Sequence, residues 1–257
     1  MKIIVLGCKG QLGSCLHDKL SSTDNDVVYT SRDRIDITDF NRTKKEIFDL
    51  SPDVVINAAA YTAVDQAEKD QEMANLINHL AVANLASCCN ELDCWLVHLS
   101  TDYVFDGASS LPYQEDDQTN PQSVYGDTKL KAELVIKSSG CRHIIIRTAW
   151  VFSEYGNNFL KTMLRLSNEK SELRIVGDQI GCPTYGQDLA SAIVVILRGI
   201  ESTQLNSGLF HFAGNICFSW AEFARVIFDE ALALKVIKSK PNIVAITTEE
   251  FPTLAKR

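Results

Sequence analysis

Two short stretches carry side chains that can move a proton. Tyr125-Gly126-Asp127-Thr128-Lys129 is a Y-x-x-x-K pattern, and on a helix the i, i+4 spacing puts phenol and ammonium on one face. An ammonium beside a phenol stabilises phenolate and lowers the tyrosine pKa from its usual value near 10, which makes a general acid or base. Alone, the pattern is common, and a solvated surface pair explains most of its occurrences. Ser100-Thr101-Asp102 changes that weighting. It closes an apolar run that reads as a strand, and open α/β sheets hold their ligands at the carboxyl ends of strands. Thr101 is placed there to hydrogen-bond a substrate oxygen.

A third stretch, Gly7-Cys8-Lys9-Gly10-Gln11-Leu12-Gly13, is G-x-x-G-x-x-G between the first strand and the first helix. Glycines suit a tight turn, close backbone approach to a pyrophosphate and helix–strand packing. The helix N-terminus then offers N–H groups and partial positive charge to phosphates. The alternative is a turn that is merely structural. Arg32 follows the second strand where a carboxylate would select NAD, and Arg34 lies close by. The arginines favour a 2′-phosphate, hence NADPH, with NADH possible; otherwise they are solvated surface charges. Asp36 and Ile37 come next, beside the expected adenine. Asn57-Ala58-Ala59-Ala60 ends the third strand with small side chains that let a cofactor lie close.

Strands are expected at Ile3–Leu6, Val27–Thr30, Val54–Asn57, Trp95–Ser100 and His143–Arg147. Helices are expected at Gln11–Leu20, Asp39–Leu50, Glu72–Leu92 and Val124–Ser138. The strands are continuous apolar runs, as parallel strands covered on both faces require. The alternation implies βαβ units. Beyond residue 150 the rhythm changes. Asn158–Ser167 and Asp188–Arg198 read as helices and Arg174–Val176 as a short strand. Ser219-Trp220-Ala221-Glu222 is a capping box, with Trp220, Phe223, Ile227 and Leu232 on one face of the helix it opens. The fold class is therefore α/β, a Rossmann-type doubly wound parallel sheet with a smaller α/β C-terminal substrate lobe. The expected division is 1–150 and 151–257, with some elements interleaved and the lobe docked rather than tethered.

The chain has 257 residues, 46% of them hydrophobic and 23% charged, with a formal charge of −8. That apolar content argues against disorder, and a pI near 5.2 argues against nucleic acid as the main partner, since phosphate binding needs clustered cations. No apolar run approaches the ~20 residues of a membrane span, and the apolar N-terminus is too short for a signal peptide. Eight cysteines show no C-x-x-C pair and no zinc spacing. They are expected to be reduced, mostly buried thiols of a cytoplasmic protein.

Taken with DVVINAAAYTAVD (53–65), VHLSTDYVFDG (97–107), YGDTKLKAE (125–133), RTAWVF (147–152), GNNFLKTMLRL (156–166) and DQIGCPTYGQDL (178–189), the sequence resembles the dTDP-4-dehydrorhamnose reductases of the extended short-chain dehydrogenase/reductase class. The resemblance spans most of the chain. It implies reduction of dTDP-4-dehydro-β-L-rhamnose at C4 to dTDP-L-rhamnose. Tyr125 would protonate the developing alkoxide, Lys129 would hold the tyrosine pKa down and bind the nicotinamide ribose, and Thr101 would bond near the reacting oxygen. Thr101, Asp102, Tyr125 and Trp150 would contact the sugar nucleotide, core packing being the alternative for Trp150. The cofactor would meet Gly7, Gly10, Gln11, Leu12, Gly13, Arg32, Asp36, Ile37, Ala58, Ala59, Ala60, Tyr61, Thr62, Leu99, Tyr125 and Lys129. Related dehydratases carry Asp-Glu after the threonine; Tyr103 stands in the second place here, which favours ketone reduction over elimination.

Two departures from the family pattern qualify these expectations. Members usually run some tens of residues past the stretch seen here as Phe251–Arg257, so part of the substrate lobe is expected to be missing. Some members form a metal-linked dimer through glutamates, whereas Cys15 and Gln187 stand at the corresponding positions, so no metal and a monomer or weak homodimer are expected. The competing readings are another nucleotide-ketosugar reductase or epimerase, and a cofactor-binding regulatory subunit similar to that of methionine adenosyltransferase.

Overall fold

A computed structural model describes residues 1–256. Its strands are β1 (Lys2–Leu6), β2 (Asp26–Thr30), β3 (Val54–Asn57), β4 (Trp95–Thr101), β5 (Arg142–Thr148), β6 (Val151–Phe152), β7 (Glu172–Val176), β8 (Ile180–Gly181), β9 (Thr184–Tyr185), β10 (Gly208–His211), β11 (Phe218–Ser219) and β12 (Asn242–Ile246). Its α-helices are α1 (Gln11–Leu20), α2 (Phe40–Leu50), α3 (Val64–Ala67), α4 (Gln71–Asn75), α5 (Ala81–Glu91), α6 (Val124–Ser138), α7 (Phe159–Ser167), α8 (Gly186–Glu201) and α9 (Trp220–Ala233).

The central sheet has the order β10-β5-β4-β3-β1-β2, and every pairing in it is parallel. The strand order reverses at β1, which lies between β2 and β3. That switch point opens the crevice in which doubly wound sheets bind ligands. Alternate residues of β1 serve opposite layers. Ile4 and Leu6 pack with Ile47, Leu85 and Ile136 from α2, α5 and α6. Ile3 and Val5 pack with Leu16 of α1 and Leu189 and Ile193 of α8.

The first two thirds follow the predicted alternation closely. The expected single helix over Glu72–Leu92 is the exception: α4 and α5 are joined by a π-helical turn, Leu76–Leu80. Asn78 in that turn is buried, accepts from Tyr61 N at 2.8 Å and donates to Tyr61 O at 3.0 Å. Its amide also reaches Thr128 Oγ1 on α6 at 3.3 Å. A single π turn re-aims one side chain within an otherwise regular helix, and here the aim joins two candidate site segments.

The C-terminal third returns to the sheet. α8 lies against α1, and β10, which the periodicity does not reveal, becomes the sheet's edge. A third apolar cluster gathers α7, β7 and α9. The capping box at Ser219–Glu222 forms in both directions. Phe223 and Ile227 are buried, while Leu232 is exposed, a correction to the expected packed face. We propose that the division near residue 150 is one of layers: α8 and β10 belong with the sheet, and the third cluster is the lobe.

The cysteines differ from expectation at one pair. Cys15, Cys88, Cys89, Cys94 and Cys141 are buried free thiols, but Cys182 and Cys217 are joined in a disulfide. Their separation of 35 residues gave no signal; the antiparallel pairing of Phe218 with Gly181 brings them together.

Candidate active site

The carboxyl ends of β1, β3 and β4 and the first turn of α6 meet at the crevice. Gly7 has φ +80°, and a Cβ there would lie 2.8 Å from Ala59 N. A Cβ at Gly13 would lie 2.3 Å from Gly7 O. Neither position tolerates a side chain, so strand, turn and helix close on one another with backbone exposed. Gly10 is the N-cap of α1 and no side chain caps the helix; the first-turn N–H groups of Gln11, Leu12 and Gly13 have no intrahelical acceptors. This bare cradle fits a dinucleotide diphosphate. The Gln11 side chain faces elsewhere: its Oε1 accepts from Ser153 Oγ at 3.1 Å and Asn158 Nδ2 at 2.9 Å, tying the turn to the segment before α7.

At the end of β2, Arg32 is exposed and its Nε lies 2.9 Å from Asp36 Oδ2. Asp36 also accepts from Thr38 N and Oγ1. Ile37 is buried in the first core cluster, so only its backbone is open to a ligand. Ala58 and Ala59 are half-buried, and Ala60 and Thr62 are exposed. Tyr61 is held by Asn78, and its hydroxyl donates to Asp70 at 3.3 Å.

Tyr125 and Lys129 lie on α6, whose N-cap Ser123 accepts from Gly126 N at 3.2 Å. The Lys129 side chain is buried: Nζ donates to Leu99 O and lies 3.2 Å from His98 Nε2. Burial pulls its pKa down to about 8 although Glu133 opposes this. Tyr125 is raised above the ordinary phenol value by burial, with the Thr101 hydrogen bond opposing and Asp102 adding to the rise. The expectation that Lys129 depresses Tyr125 is therefore corrected for the ligand-free protein. Lys129 Nζ is engaged by β4, and the phenol is a protonated donor beside Thr101. Thr101 Oγ1 lies 3.0 Å from Asp102 Oδ1 and accepts from Tyr103 N at 3.2 Å. The Tyr103 ring meets Tyr125 edge-on at 5.6 Å.

Trp150 lies two residues beyond Thr148, which is in register with Thr101. It has φ 47° and stacks face to face on Trp220 at 3.3 Å. A Cβ on Gly181 would come within 2.3 Å of its ring. The packing alternative therefore accounts for its observed contacts.

Residue types and spacing did not single out His98, Glu133 and Arg147, nor the bond from Ser100 to Glu133. The Arg147 guanidinium makes two hydrogen bonds to Glu133, at 2.9 and 2.7 Å, and Ser100 Oγ donates to the same carboxylate. One signal was available: Tyr125, Lys129 and Glu133 recur every fourth residue on one helix face.

A parallel doubly wound sheet, a bare glycine cradle at its switch point and a Thr/Tyr/Lys set at the end of β4 define a nicotinamide-dependent oxidoreductase of the extended short-chain class. The model of the RmlD substrate binding domain family matches residues 1–257. A curated dTDP-4-dehydrorhamnose reductase of Aggregatibacter actinomycetemcomitans is 43% identical, over all of this chain and 88% of that protein. The crystal structure of dTDP-4-dehydrorhamnose reductase from Bacillus anthracis in complex with NADP superposes with a TM-score of 0.92 at 37% identity, covering 100% of this chain and 87% of that one. The chain belongs to the dTDP-4-dehydrorhamnose reductase family. A Thermus thermophilus UDP-glucose 4-epimerase, at TM-score 0.80 and 17% identity over 96% of this chain and 86% of that one, shares the fold.

Proposed function

We propose that this enzyme reduces the C4 ketone of dTDP-4-dehydro-β-L-rhamnose with NADPH, giving dTDP-L-rhamnose. The observation that carries the reading is the hydrogen-bonded meeting of Thr101, at the carboxyl end of β4, with Tyr125 of α6. When bound, the nicotinamide supplies the hydride to the carbonyl carbon. The first-turn N–H groups of α1 hold the diphosphate, and Arg32 at the end of β2 suits a 2′-phosphate. Burial keeps Tyr125 protonated, so its hydroxyl is ready to donate to the oxyanion as charge develops. Thr101, which donates to Asp102 and accepts from Tyr103 N, lies beside the phenol. Lys129, once drawn away from the Leu99 carbonyl, would stabilise the phenolate left behind until solvent reprotonates it.

Tyr103, rather than a carboxylate, follows Asp102. The site thus lacks the second acid/base group that elimination of water would use. An epimerase shares only the fold, and a purely regulatory role leaves the Thr101/Tyr125/Lys129 arrangement without a use. We further propose a cytoplasmic protein on the strength of the buried free thiols Cys15, Cys88, Cys89, Cys94 and Cys141, against which the Cys182–Cys217 disulfide stands as the exception. We propose a monomer or weak homodimer without a metal link, since Cys15 is buried and Gln187 Nε2 donates to Asp18 at 2.7 Å. Light scattering with chelator checks this: a dimer lost on chelation contradicts it.

The decisive experiment follows NADPH oxidation with the dTDP-ketosugar and identifies the product sugar. Tyr125→Phe is expected to lower kcat by at least ~10²-fold while NADPH still binds. Unchanged turnover in that variant removes Tyr125 from the mechanism, and a product epimeric at C4 replaces the substrate assignment.

A further inference from the structure

His98 lies in the middle of β4 with no exposed surface, bonded at both ring nitrogens. Asn57 Nδ2, at the end of β3, lies 3.2 Å from its Nδ1, and Lys129 Nζ lies 3.2 Å from its Nε2. Asn57 completes the chain on its other side: Oδ1 accepts from Ala59 N at 3.2 Å. Ala59 N is the atom that a Cβ on Gly7 would strike, so the chain runs from the buried lysine to the glycine cradle.

Hydrogen bookkeeping along this chain allows two arrangements. An amide nitrogen only donates, so with Asn57 Nδ2 facing it, Nδ1 must accept. A neutral imidazole then carries its proton on Nε2, aimed at Lys129 Nζ. An amine has a lone pair to receive it; an ammonium has none. In the second arrangement Lys129 is an ammonium and donates to Nε2. The ring proton is then on Nδ1, Asn57 must turn its amide to present Oδ1, and Ala59 N–H loses its partner. Burial and the neighbouring Lys129 hold the His98 pKa well below its ordinary value, which keeps the ring neutral in both.

We infer that Asn57 and His98 are positioning residues that couple the charge on Lys129 to the Ala59 N–H beside the glycine cradle, which keeps its acceptor while the lysine is neutral and loses it when the lysine is protonated. The inference rests on the reading above that Lys129 serves the reaction at Tyr125. It adds that the lysine's protonation is communicated from α6 across β4 to the end of β3. The groups facing Lys129 are His98 and the Leu99 carbonyl from β4 and Glu133 from α6; Arg147 of β5 neutralises Glu133. Asn57, from β3, faces His98 and carries no charge.

Ring nitrogen shifts in ¹⁵N-histidine-labelled wild type, recorded from pH 6 to 10, test this without any turnover. The His98 proton is expected to move from Nδ1 to Nε2 as pH rises through the titration of Lys129. A tautomer that stays fixed across that range overturns the inference. Kinetics supply an independent arm. His98→Ala removes an acceptor from the ammonium and is expected to move the basic limb of the kcat profile down by about one pH unit. His98→Gln, whose amide can accept from the lysine and donate to Asn57, is expected to restore it. A His98→Ala profile that superimposes on that of wild type also overturns the inference. Lack of ketosugar reduction by the wild type would instead overturn the functional reading, leaving the tautomer measurement to judge the coupling.

Discussion

Asp102 shows how a single carboxyl can be read only once its surroundings are known. Thr101-Asp102 marked the end of a strand in the sequence, but nothing in the residue types gave the acid's burial. Burial pushes its pKa up to about 6, against the pull of hydrogen bonds from Thr101 and the backbone. The folded protein therefore keeps this proton to higher pH than the unfolded chain, whose value is near 3.8. The contribution to stability is fully present below about pH 4 and is lost as pH rises through about 6. Asp102→Asn removes the ionisable group, so its melting temperature is expected to exceed that of wild type at pH 7.5 by about 5 °C. The difference should vanish below about pH 4. Thermal scans at both pH values check this, and an equal gain at both would mean packing rather than ionisation. Lys129 is the parallel case. The spacing placed it beside Tyr125 on one helix face, but β4 decides where its ammonium points.

The helix that carries Tyr125 was legible in full, Val124–Ser138, because its pattern lies within one stretch of sequence. What seats it was not. Glu133, one turn beyond Lys129, is buried against Arg147 of β5, and Ser100 of β4 joins the same carboxylate. Three elements of the site thus meet at one ion pair with side-chain exposures of 4% and 0%. Breaking a buried pair leaves an uncompensated charge and costs roughly 3–5 kcal/mol, whereas replacing both partners is often neutral. Arg147→Met is therefore expected to lower stability by about that amount, and the double variant Glu133→Leu/Arg147→Met to recover most of it. Urea unfolding of both variants measures this. Equal losses in single and double variants would show that Arg147 matters through its contacts with Glu115 O and the Phe105 ring instead. The π turn at Leu76–Leu80 was hidden for a related reason. Periodicity averages over a helix, and one added residue does not erase the apolar stripe.

On the scale of the molecule, the first 150 residues were legible because each strand is followed at once by the helix that covers it. The remainder was harder, because the chain leaves the sheet for the lobe and then returns as α8 and β10. β10 is only four residues long and half-exposed, so its apolar signal is weak and its place at the edge is set by pairing with β5. The disulfide brackets this excursion. Cys182 precedes β9 and Cys217 precedes β11, so the loop it closes contains α8 and β10. Closing a loop of that length removes about 3–4 kcal/mol of chain entropy from the unfolded state if nothing else limits it. α8 and β10 already anchor the same segment to the sheet in the folded state, so the cross-link should act chiefly on unfolding as a whole. Cys217 is exposed, and a dithiol reductant can reach it. Dithiothreitol, or the variant Cys217→Ser, is expected to lower the urea midpoint by an amount equivalent to ~2–4 kcal/mol. NADPH affinity should be unchanged, because none of the expected cofactor residues lies within the cross-linked segment. Coincident midpoints with and without reductant would show that the sheet contacts alone hold this segment. A loss of NADPH binding on reduction would instead tie the cross-linked lobe to the cofactor crevice.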